Sequence, residues 1–388
     1  MAQKMTVVGG GIGGLVSAIA AREAGVEVTL LESKRELGGR ARSTSAPYIA
    51  NWGPHALYAD GPMWRWLEKR GLAQPCVKPP MRHPLLFRRG GELRRLPGKK
   101  LLAALARLRR TAAPADRAFA EWASERAGKE VATRLARMAG VFSFDNDPGR
   151  LSAAFVHERL VRVTTIPSPA RFVVGGWSEL VARLVDRVIE LGVRIETGAR
   201  VDEVPDPPVV LAVPMGVAAE LLGDASLSWT GTTTALLDVA MTARRGDPYV
   251  VYDLDAPGWV ETYTHADPSL APPGEHLVQA QAGLRPGESL DSGIRRLEAI
   301  LDAGFPAWRE RETWRRRARV DDDSGALDLP GTTWRDRPAV DRGDGLYVVG
   351  DMTAAPGLLS EVTHASALAA VDGVVGATAR AEHRDVAV

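Results

Sequence analysis

Residues 7–42 read VVGGGIGGLVSAIAAREAGVEVTLLESKRELGGRAR, and this stretch decides the fold. A short β-branched run ends in a cluster of glycines, a segment with helical spacing stops at Gly25, and a second apolar run ends at Glu32. This order predicts a strand, a tight turn, a helix and a second strand. Gly9, Gly11 and Gly14 within it fit the spacing G-x-G-x-x-G. The stretch therefore predicts a dinucleotide-binding fold.

Each glycine of the motif has a separate physical reason. Gly9 allows the tight turn, Gly11 allows a pyrophosphate to approach the backbone, and Gly14 allows the helix to pack closely on the strand. The pyrophosphate would then lie at the positive end of the helix. Glu32 stands where a carboxylate accepts hydrogen bonds from ribose hydroxyls and disfavours a 2′-phosphate. A chance spacing is the alternative in a chain with 39 glycines, but the strand, helix and acid around it favour binding.

The composition of the whole chain is typical of a globular enzyme. Its 388 residues suggest two domains, 45% are apolar, 25% are charged, and the formal net charge is +1. This balance gives no reason to expect a nucleic-acid partner. The one cysteine, Cys76, excludes an internal disulfide framework and suits a reducing compartment. The first strand begins at Met5 without a recognisable leader or spanning segment before it, so we expect a cytoplasmic protein.

A second glycine pair follows Glu32 directly, in ESKRELGGRARS. This segment resembles the one that follows the ribose-binding acid in FAD enzymes of the phytoene desaturase, protoporphyrinogen oxidase and monoamine oxidase superfamily. The resemblance implies that Gly38 and Gly39 let the chain pass close to the cofactor, while Arg40 offsets phosphate charge. A left-handed turn followed by a solvated arginine is the alternative.

A third segment lies near the C-terminus, DGLYVVGDMTAAPGLLSEVTHASALAAVDGVVGATA, residues 344–379. It reads as a buried strand from Leu346 to Val349, a small-residue turn and a small-residue helix. It resembles the closing flavin segment of the same superfamily, in which the aspartate, here Asp351, binds the ribityl chain. No cysteine stands in it to tether a flavin, so the resemblance implies noncovalent FAD. The implied cofactor contacts are Gly9, Gly11, Gly13, Gly14, Glu32, Ser33, Gly38, Gly39, Arg40, Gly53, Pro54, His55, Val201, Gly350, Asp351 and Leu359.

These separated segments predict an α/β protein with a discontinuous Rossmann-type FAD-binding domain and an inserted α+β substrate domain. We assign residues 1–60, 166–215 and 335–388 to the FAD-binding domain. Residues 61–165 and 216–334 are assigned to the substrate domain. An amphipathic helix is expected from about Ser178 to Leu191. The resemblance places Val201 nearest the adenine, although a valine in a strand is a core residue by default.

Candidate catalytic residues come from two segments. NWGPHALY, Asn51 to Tyr58, resembles the superfamily segment that runs under the isoalloxazine ring. His55 within it could bind the flavin, orient substrate or act as a base, or it could be a turn histidine bonded to backbone. Glu361 and His364 are three residues apart on the closing helix and share a face. They either reach the active site or form a surface pair.

The absence of certain residues from the sequence narrows the reaction class. Monoamine oxidase relatives place a lysine near the flavin and aromatic residues in the closing segment. This chain has no lysine after Lys129 and no Phe, Trp or Tyr after Tyr347. We therefore expect an FAD-dependent dehydrogenase, desaturase or oxidase that removes hydride from an apolar or polycyclic small molecule. Amine or amino-acid oxidation, isomerisation or cyclisation without net redox change, and a non-catalytic flavin-binding role remain alternatives.

Two basic segments stand out. Residues 82–110 carry ten basic residues against the single acid Glu92, and Leu101, Leu105 and Leu108 share one helical face within them. This predicts either a peripheral contact with an anionic membrane, an ordinary helix with buried leucines, or a patch that attracts an anionic substrate. The arginines of residues 309–319 precede the acidic residues 321–323 and are expected to be neutralised locally.

Overall fold

A computed structural model describes residues 3–53, 56–321 and 325–385 of the chain. Pro54 and His55, both predicted near the flavin, lie outside the described residues. The strands are β1 (Lys4–Val8), β2 (Glu27–Glu32), β3 (Leu57–Tyr58), β4 (Cys76–Val77), β5 (Leu85–Arg89), β6 (Glu92–Arg94), β7 (Ala170–Val173), β8 (Arg194–Thr197), β9 (Val209–Leu211), β10 (Thr233–Thr242), β11 (Val250–Asp253), β12 (Trp259–Thr262), β13 (Glu275–Gly283), β14 (Glu312–Asp321) and β15 (Leu346–Val348).

Helices connect and cover these strands. They are α1 (Ile12–Glu23), α2 (Pro62–Lys69), α3 (Lys99–Leu108), α4 (Phe119–Ala127), α5 (Lys129–Ser143), α6 (Ala153–Val163), α7 (Trp177–Glu190), α8 (Met215–Leu222), α9 (Leu290–Gly304), α10 (Trp308–Arg311) and α11 (Ser360–Asp385). The predicted helix from about Ser178 to Leu191 is α7, displaced by one residue at each end.

The first sheet is parallel and has the strand order β15-β9-β1-β2-β8. Its strands come from the three sequence ranges that were assigned to the FAD-binding domain. Because the strands are parallel, the residues that follow them gather at one edge of the sheet. The turns after β1, β2 and β15 therefore lie at the same edge of the sheet, with β9 between β15 and β1. These turns belong to the three glycine-containing segments.

The core under this sheet includes residues from beyond position 60. Met63, Trp66 and Leu67 of α2 are buried in the same cluster as Leu15 of α1 and Leu180 of α7. This core continues along the chain to Leu72 and Ala73. The domain boundaries stay a prediction.

The second sheet has seven strands in the order β14-β10-β13-β12-β11-β5-β6, antiparallel except for the parallel pair β5 and β11. Alternation along the strands gives it two faces. Val239, Val278 and Val260 point to one face and pack with Leu297 of α9. The opposite face meets Tyr48, Ile49, Ala50 and Ala56 of the first part of the chain.

Helices α3 to α6 form a separate layer with its own core, which includes Trp122, Leu135 and Phe155. Leu101 and Leu108 of α3 are buried in this core. The leucine face of the basic segment therefore packs inside the protein, as expected of an ordinary helix. A peripheral membrane contact through residues 82–110 stays a prediction. In the described part of the chain, no helix is both long and apolar enough to cross a membrane.

Candidate functional site

The turn after β1 is shaped by close backbone packing. Gly9 has a left-handed backbone with φ +104°, and its N–H donates to the Leu31 carbonyl over 2.7 Å. A Cβ atom at Gly14 would lie 1.8 Å from the Gly9 carbonyl oxygen. Any side chain at Gly14 would therefore push α1 away from the turn. This is the close helix–strand packing that the motif requires.

Gly11 is different, because open space surrounds it. A Cβ atom there would meet only the Gly39 Cα, at 3.9 Å. Gly11 is also the N-cap of α1, and no side chain caps this helix. The amides of the first turn are thus available for an anion, and the helix dipole favours negative charge there. The turn fits a dinucleotide pyrophosphate.

Glu32 ends β2 and is buried beside this turn. The Gly10 N–H donates to Glu32 Oε2 over 2.7 Å, and the Lys34 N–H donates to Oε1 over 2.8 Å. The Ser33 hydroxyl lies 3.2 Å from Oε1. A carboxylate has about four acceptor positions, so capacity remains for ribose hydroxyls. Val201 is half-buried at the margin of a small apolar cluster by the same sheet, and its adenine contact stays a prediction.

The two glycine clusters touch each other directly. The Gly38 N–H donates to the Gly10 carbonyl over 2.8 Å. Gly38 and Gly39 both have left-handed backbones, with φ of +114° and +58°. A Cβ atom at Gly39 would lie 3.2 Å from the Gly11 Cα. The clusters are therefore one surface of bare backbone, built from turns 28 residues apart in the chain.

The third segment joins this surface through an ion pair. Arg40 Nη2 donates to Asp351 Oδ1 over 2.8 Å. A Cβ atom at Gly13 would lie 3.0 Å from Val349, so the start of α1 also touches this segment. Gly350 has open space at its Cα. The three segments with sequence resemblance to FAD-binding segments thus converge at one edge of the parallel sheet.

Past Asp351 the closing segment meets the helical layer. A small cavity lies there, lined by Asp351, Leu359, Phe142, Phe155 and Arg159 among others. Arg159 is buried with its guanidinium 3.5 Å from the centre of the Phe155 ring, and burial lowers its pKa to about 10. Leu359 has a left-handed backbone, with φ +53°, just before α11 begins. The closing turn and the helical layer therefore form one wall of an internal space.

The segment predicted to run under the flavin ring is anchored at Asn51. Its side-chain Oδ1 accepts from the Trp177 N–H over 3.0 Å and from the Ser43 hydroxyl over 2.8 Å. Its carbonyl accepts from Gln279 Nε2 over 3.0 Å and also from Arg316. These bonds hold the residues just before Gly53, which has a φ of +98°.

The arginine run of β14 is neutralised differently from the expectation. Arg316 is bound by Asp238 on β10, with Nε 2.6 Å from Oδ2, while Arg319 does bind Asp321. Alternation along β14 sends Arg316 to the face that meets Asn51. Burial raises the pKa of Asp238, and the charge of Arg316 opposes this. This ion pair was not predicted from the sequence. The period-2 alternation of β14, which sends Arg316 to the face that meets Asn51, was the only pattern that indicated it.

Glu361 and His364 do share one face of α11, and each has a different environment. Both carboxylate oxygens of Glu361 accept from Arg162, over 2.6 and 2.7 Å. His364 is buried beside the Trp66 ring, and neither of its ring nitrogens has a hydrogen-bond partner within the described residues. Burial, with a smaller contribution from Arg70, lowers the pKa of His364 to about 4. Catalytic roles for both residues stay predictions.

Comparison with known proteins agrees with this geometry. Residues 7–69 match the family described as NAD(P)-binding Rossmann-like domain. An oxidoreductase from Methanosarcina mazei superimposes with a TM-score of 0.80 at 19% identity, over 95% of this chain and 100% of its own. A protein assigned as protoporphyrinogen oxidase from Exiguobacterium sp. 255-15 has a TM-score of 0.70 at 17% identity, over 97% and 99%. Cyclohexylamine oxidase from Brevibacterium oxydans IH-35A has 0.72 at 14%, over 97% and 100%.

The chain has the fold of these oxidoreductases. This confirms the predicted fold class and, at the level of the fold, the resemblance to protoporphyrinogen oxidase and the amine oxidases. A search of the curated proteins finds no match. Together with the matched Rossmann-like segment, the bare glycine surface and the uncapped α1 support a dinucleotide cofactor.

Proposed function

We propose that the protein is an FAD-dependent oxidoreductase that removes hydride from an apolar or polycyclic small molecule. The observation that carries this proposal is the convergence of the glycine pair 38–39 and Asp351 on the turn after β1. A Rossmann turn and its acid serve NAD and FAD alike. A second glycine surface and a distant aspartate extend the site beyond the adenosine and pyrophosphate, as a longer cofactor requires.

The residues predicted to contact FAD carry chemical groups that suit different parts of the cofactor. Glu32 would bind the ribose hydroxyls, the first turn of α1 the pyrophosphate, Arg40 a phosphate charge and Asp351 the ribityl chain. The bound flavin would supply a two-electron acceptor at N5. Cys76 lies on β4, where its thiol contacts the Ala73 carbonyl over 3.0 Å, remote in sequence from the closing segment. We therefore expect noncovalent binding.

The proposed substrate class rests on the apolar residues next to Asn51. A cluster that includes Ala50 joins Phe144, Phe172 and Trp259 to Ala56 and Leu359. A substrate site bordered by these residues would suit a molecule with a large apolar surface. Amine oxidation ranks lower, because the sequence lacks a lysine after Lys129 and aromatic residues after Tyr347.

The test is anaerobic bleaching of the bound flavin by candidate substrates, followed by mass spectrometry of the product. We expect bleaching by apolar polycyclic compounds such as protoporphyrinogen IX, with a product that has lost two hydrogens for each flavin reduced. Faster bleaching by cyclohexylamine would favour the amine-oxidase alternative. A product of unchanged mass would indicate an isomerase or cyclase. A bound flavin that no compound of either class bleaches would favour a non-catalytic role.

A further inference from the structure

One acid of the second sheet differs from the others near it. Three buried acids in and beside this sheet pair with arginines: Asp238 with Arg316 at 2.6 Å, Asp247 with Arg311 at 2.8 Å, and Asp253 with Arg88 at 2.8 Å. Glu261 on β12 has no ion pair with any described residue. Its negative charge is therefore not compensated by a neighbouring cation within the part of the chain that the structure describes.

Tyrosines surround Glu261 instead. The Tyr249 hydroxyl donates to Glu261 Oε1 over 2.6 Å. Burial raises the pKa of Glu261 to about 7, and the Tyr249 and Tyr263 phenols act against that rise. Burial and the neighbouring Glu261 raise the pKa values of Tyr249, Tyr252 and Tyr263, so the phenols stay neutral donors.

The register of the sheet shows which way Glu261 faces. Glu261 lies opposite Gln279 on β13, and Val260 lies opposite Ala280. Val260 packs with α9 on one face, so the alternation places Glu261 and Gln279 on the other. Gln279 donates to the Asn51 carbonyl from that face. Glu261 therefore faces the side of the sheet on which Asn51 lies.

The tyrosines connect this carboxyl to the predicted flavin segments. Tyr249 and Tyr263 belong to the same apolar cluster as Ala56 and Leu359. These two residues come from the segment predicted under the flavin ring and from the closing segment. The Tyr58 phenol contributes to the raised pKa of Tyr252. The half-buried Glu261 side chain thus lies beside a tyrosine whose apolar cluster includes a residue from each of the two segments that are predicted to frame the reactive end of the cofactor.

We propose that Glu261 exchanges the substrate proton, an inference that rests on the proposed function and places the substrate on this face of the sheet. Oxidation of the substrate removes two hydrogens. One leaves with its bonding pair as hydride to the cofactor, and the other leaves as a proton while its bonding pair becomes the new double bond. The Glu261 carboxylate accepts that proton, becomes a neutral acid and returns the proton to water after reoxidation. Tyr249 positions the carboxyl through its hydrogen bond.

The charges around Glu261 suit this exchange. The titratable groups that face its cluster are Tyr249, Tyr252 and Tyr263, with Asp238 acting on Tyr263. Arg316 lies on the same face, where it is paired with Asp238. The groups next to Glu261 are therefore neutral phenols, and the cation on this face is already paired with another acid. Since no described cation fixes the carboxylate in its charged form, a change of charge nearby moves its protonation readily. A reduced flavin, which carries negative charge, would favour the protonated form.

The test uses purified holoenzyme and needs no substrate. The flavin is photoreduced anaerobically by EDTA in weakly buffered solution at about pH 8, and a pH indicator measures protons taken up per flavin. Free FAD reduced in the same way gives the correction for protons that the oxidised EDTA releases. Two-electron reduction to the flavin anion consumes one proton at N5. We expect the wild-type protein to take up clearly more than one, and Glu261→Gln to take up one. Glu275→Gln, the same change elsewhere in the sheet, should behave as wild type.

A second variant, Tyr249→Phe, keeps the carboxyl group and therefore tests the proposal even if Glu261→Gln does not fold. Tyr249→Phe removes a donor that stabilises the carboxylate, so the extra uptake should persist and shift to higher pH. The infrared band of the protonated carboxyl should titrate near neutral pH and vanish in Glu261→Gln. Equal uptake in wild type and Glu261→Gln, or the same pH profile in Tyr249→Phe, would overturn the proposal. A protein that binds no FAD would instead overturn the proposed function.

Discussion

Arg40 donates a hydrogen bond to Asp351 over 2.8 Å, although 311 residues separate them. The arginine follows the second glycine pair, and the aspartate follows the last strand of the parallel sheet. Arg40 keeps 47% of its side chain exposed, and Asp351 keeps 15%. The pair therefore links the two segments at a site that solvent can reach, so both groups are able to contact a ligand.

Replacing Arg40 by methionine should weaken FAD binding while the fold persists. The guanidinium is expected to contact a phosphate, and a charge-assisted hydrogen bond is worth roughly 1.5 to 3 kcal/mol. The dissociation constant should rise by roughly 10- to 150-fold, measured by flavin fluorescence on titration of the apoprotein. Arg35→Met, an exposed arginine in the same segment, serves as the control. Equal affinities of both variants would remove Arg40 from the cofactor site.

Gly11→Val should abolish FAD retention without unfolding the apoprotein. The space beyond the Gly11 Cα is open toward the protein, since the nearest atom to an added Cβ lies at 3.9 Å. The valine side chain would instead occupy the space predicted for the pyrophosphate. The check is visible absorbance after purification, with thermal melting of the apoprotein alongside. Gly216→Val, at another glycine with open space, should stay yellow. Normal flavin content in Gly11→Val would contradict the assigned phosphate position.

Gly14→Ala, in contrast to Gly11→Val, should lower the stability of the folded apoprotein. A Cβ atom at this position would lie 1.8 Å from the Gly9 carbonyl oxygen, and backbone must move to relieve the contact. Overpacking of this kind typically costs about 1 to 3 kcal/mol. Chemical denaturation of the apoprotein should show the loss, and Gly216→Ala should show none. An unchanged midpoint in Gly14→Ala would mean that α1 does not pack on the turn as described.

The local elements could be predicted from the sequence because short-range chemistry determines them. The helix α7 and the strand β15 lie within one residue of their predicted bounds, since apolar spacing and glycine stops mark them. The pairing of Arg316 with Asp238 could not be predicted, because it depends on the register between two strands 78 residues apart. Glu261 was missed for the same reason. The packing of α2 against α1 and α7 could not be predicted either, because nothing local shows which core an amphipathic helix will join.

The raised pKa of Glu261 makes a prediction about stability. Its value is about 7 in the folded protein and 4.5 in an exposed carboxyl. Between these values the folded state binds more protons than the unfolded state, so stability falls as pH rises through this window. Glu261→Gln lacks this dependence. Its free energy of unfolding relative to wild type should therefore rise by on the order of 3 kcal/mol between about pH 4 and about pH 8.

Urea denaturation of both apoproteins across this pH range measures the effect, and Glu275→Gln provides the matched control. Parallel pH profiles for wild type and Glu261→Gln would show that the carboxyl ionises normally in the folded protein. The inference that burial of Glu261 without a compensating cation raises its pKa would then be wrong.

The central claim is that three distant segments form one site for FAD. The most direct measurement is titration of the purified apoprotein with FAD and, separately, with NADPH, followed by calorimetry and visible absorbance. We expect saturation by one FAD per chain and no comparable binding of NADPH. The bound flavin should elute with the protein on gel filtration, as its visible absorbance would show. A colourless protein that binds NADPH and not FAD would contradict it.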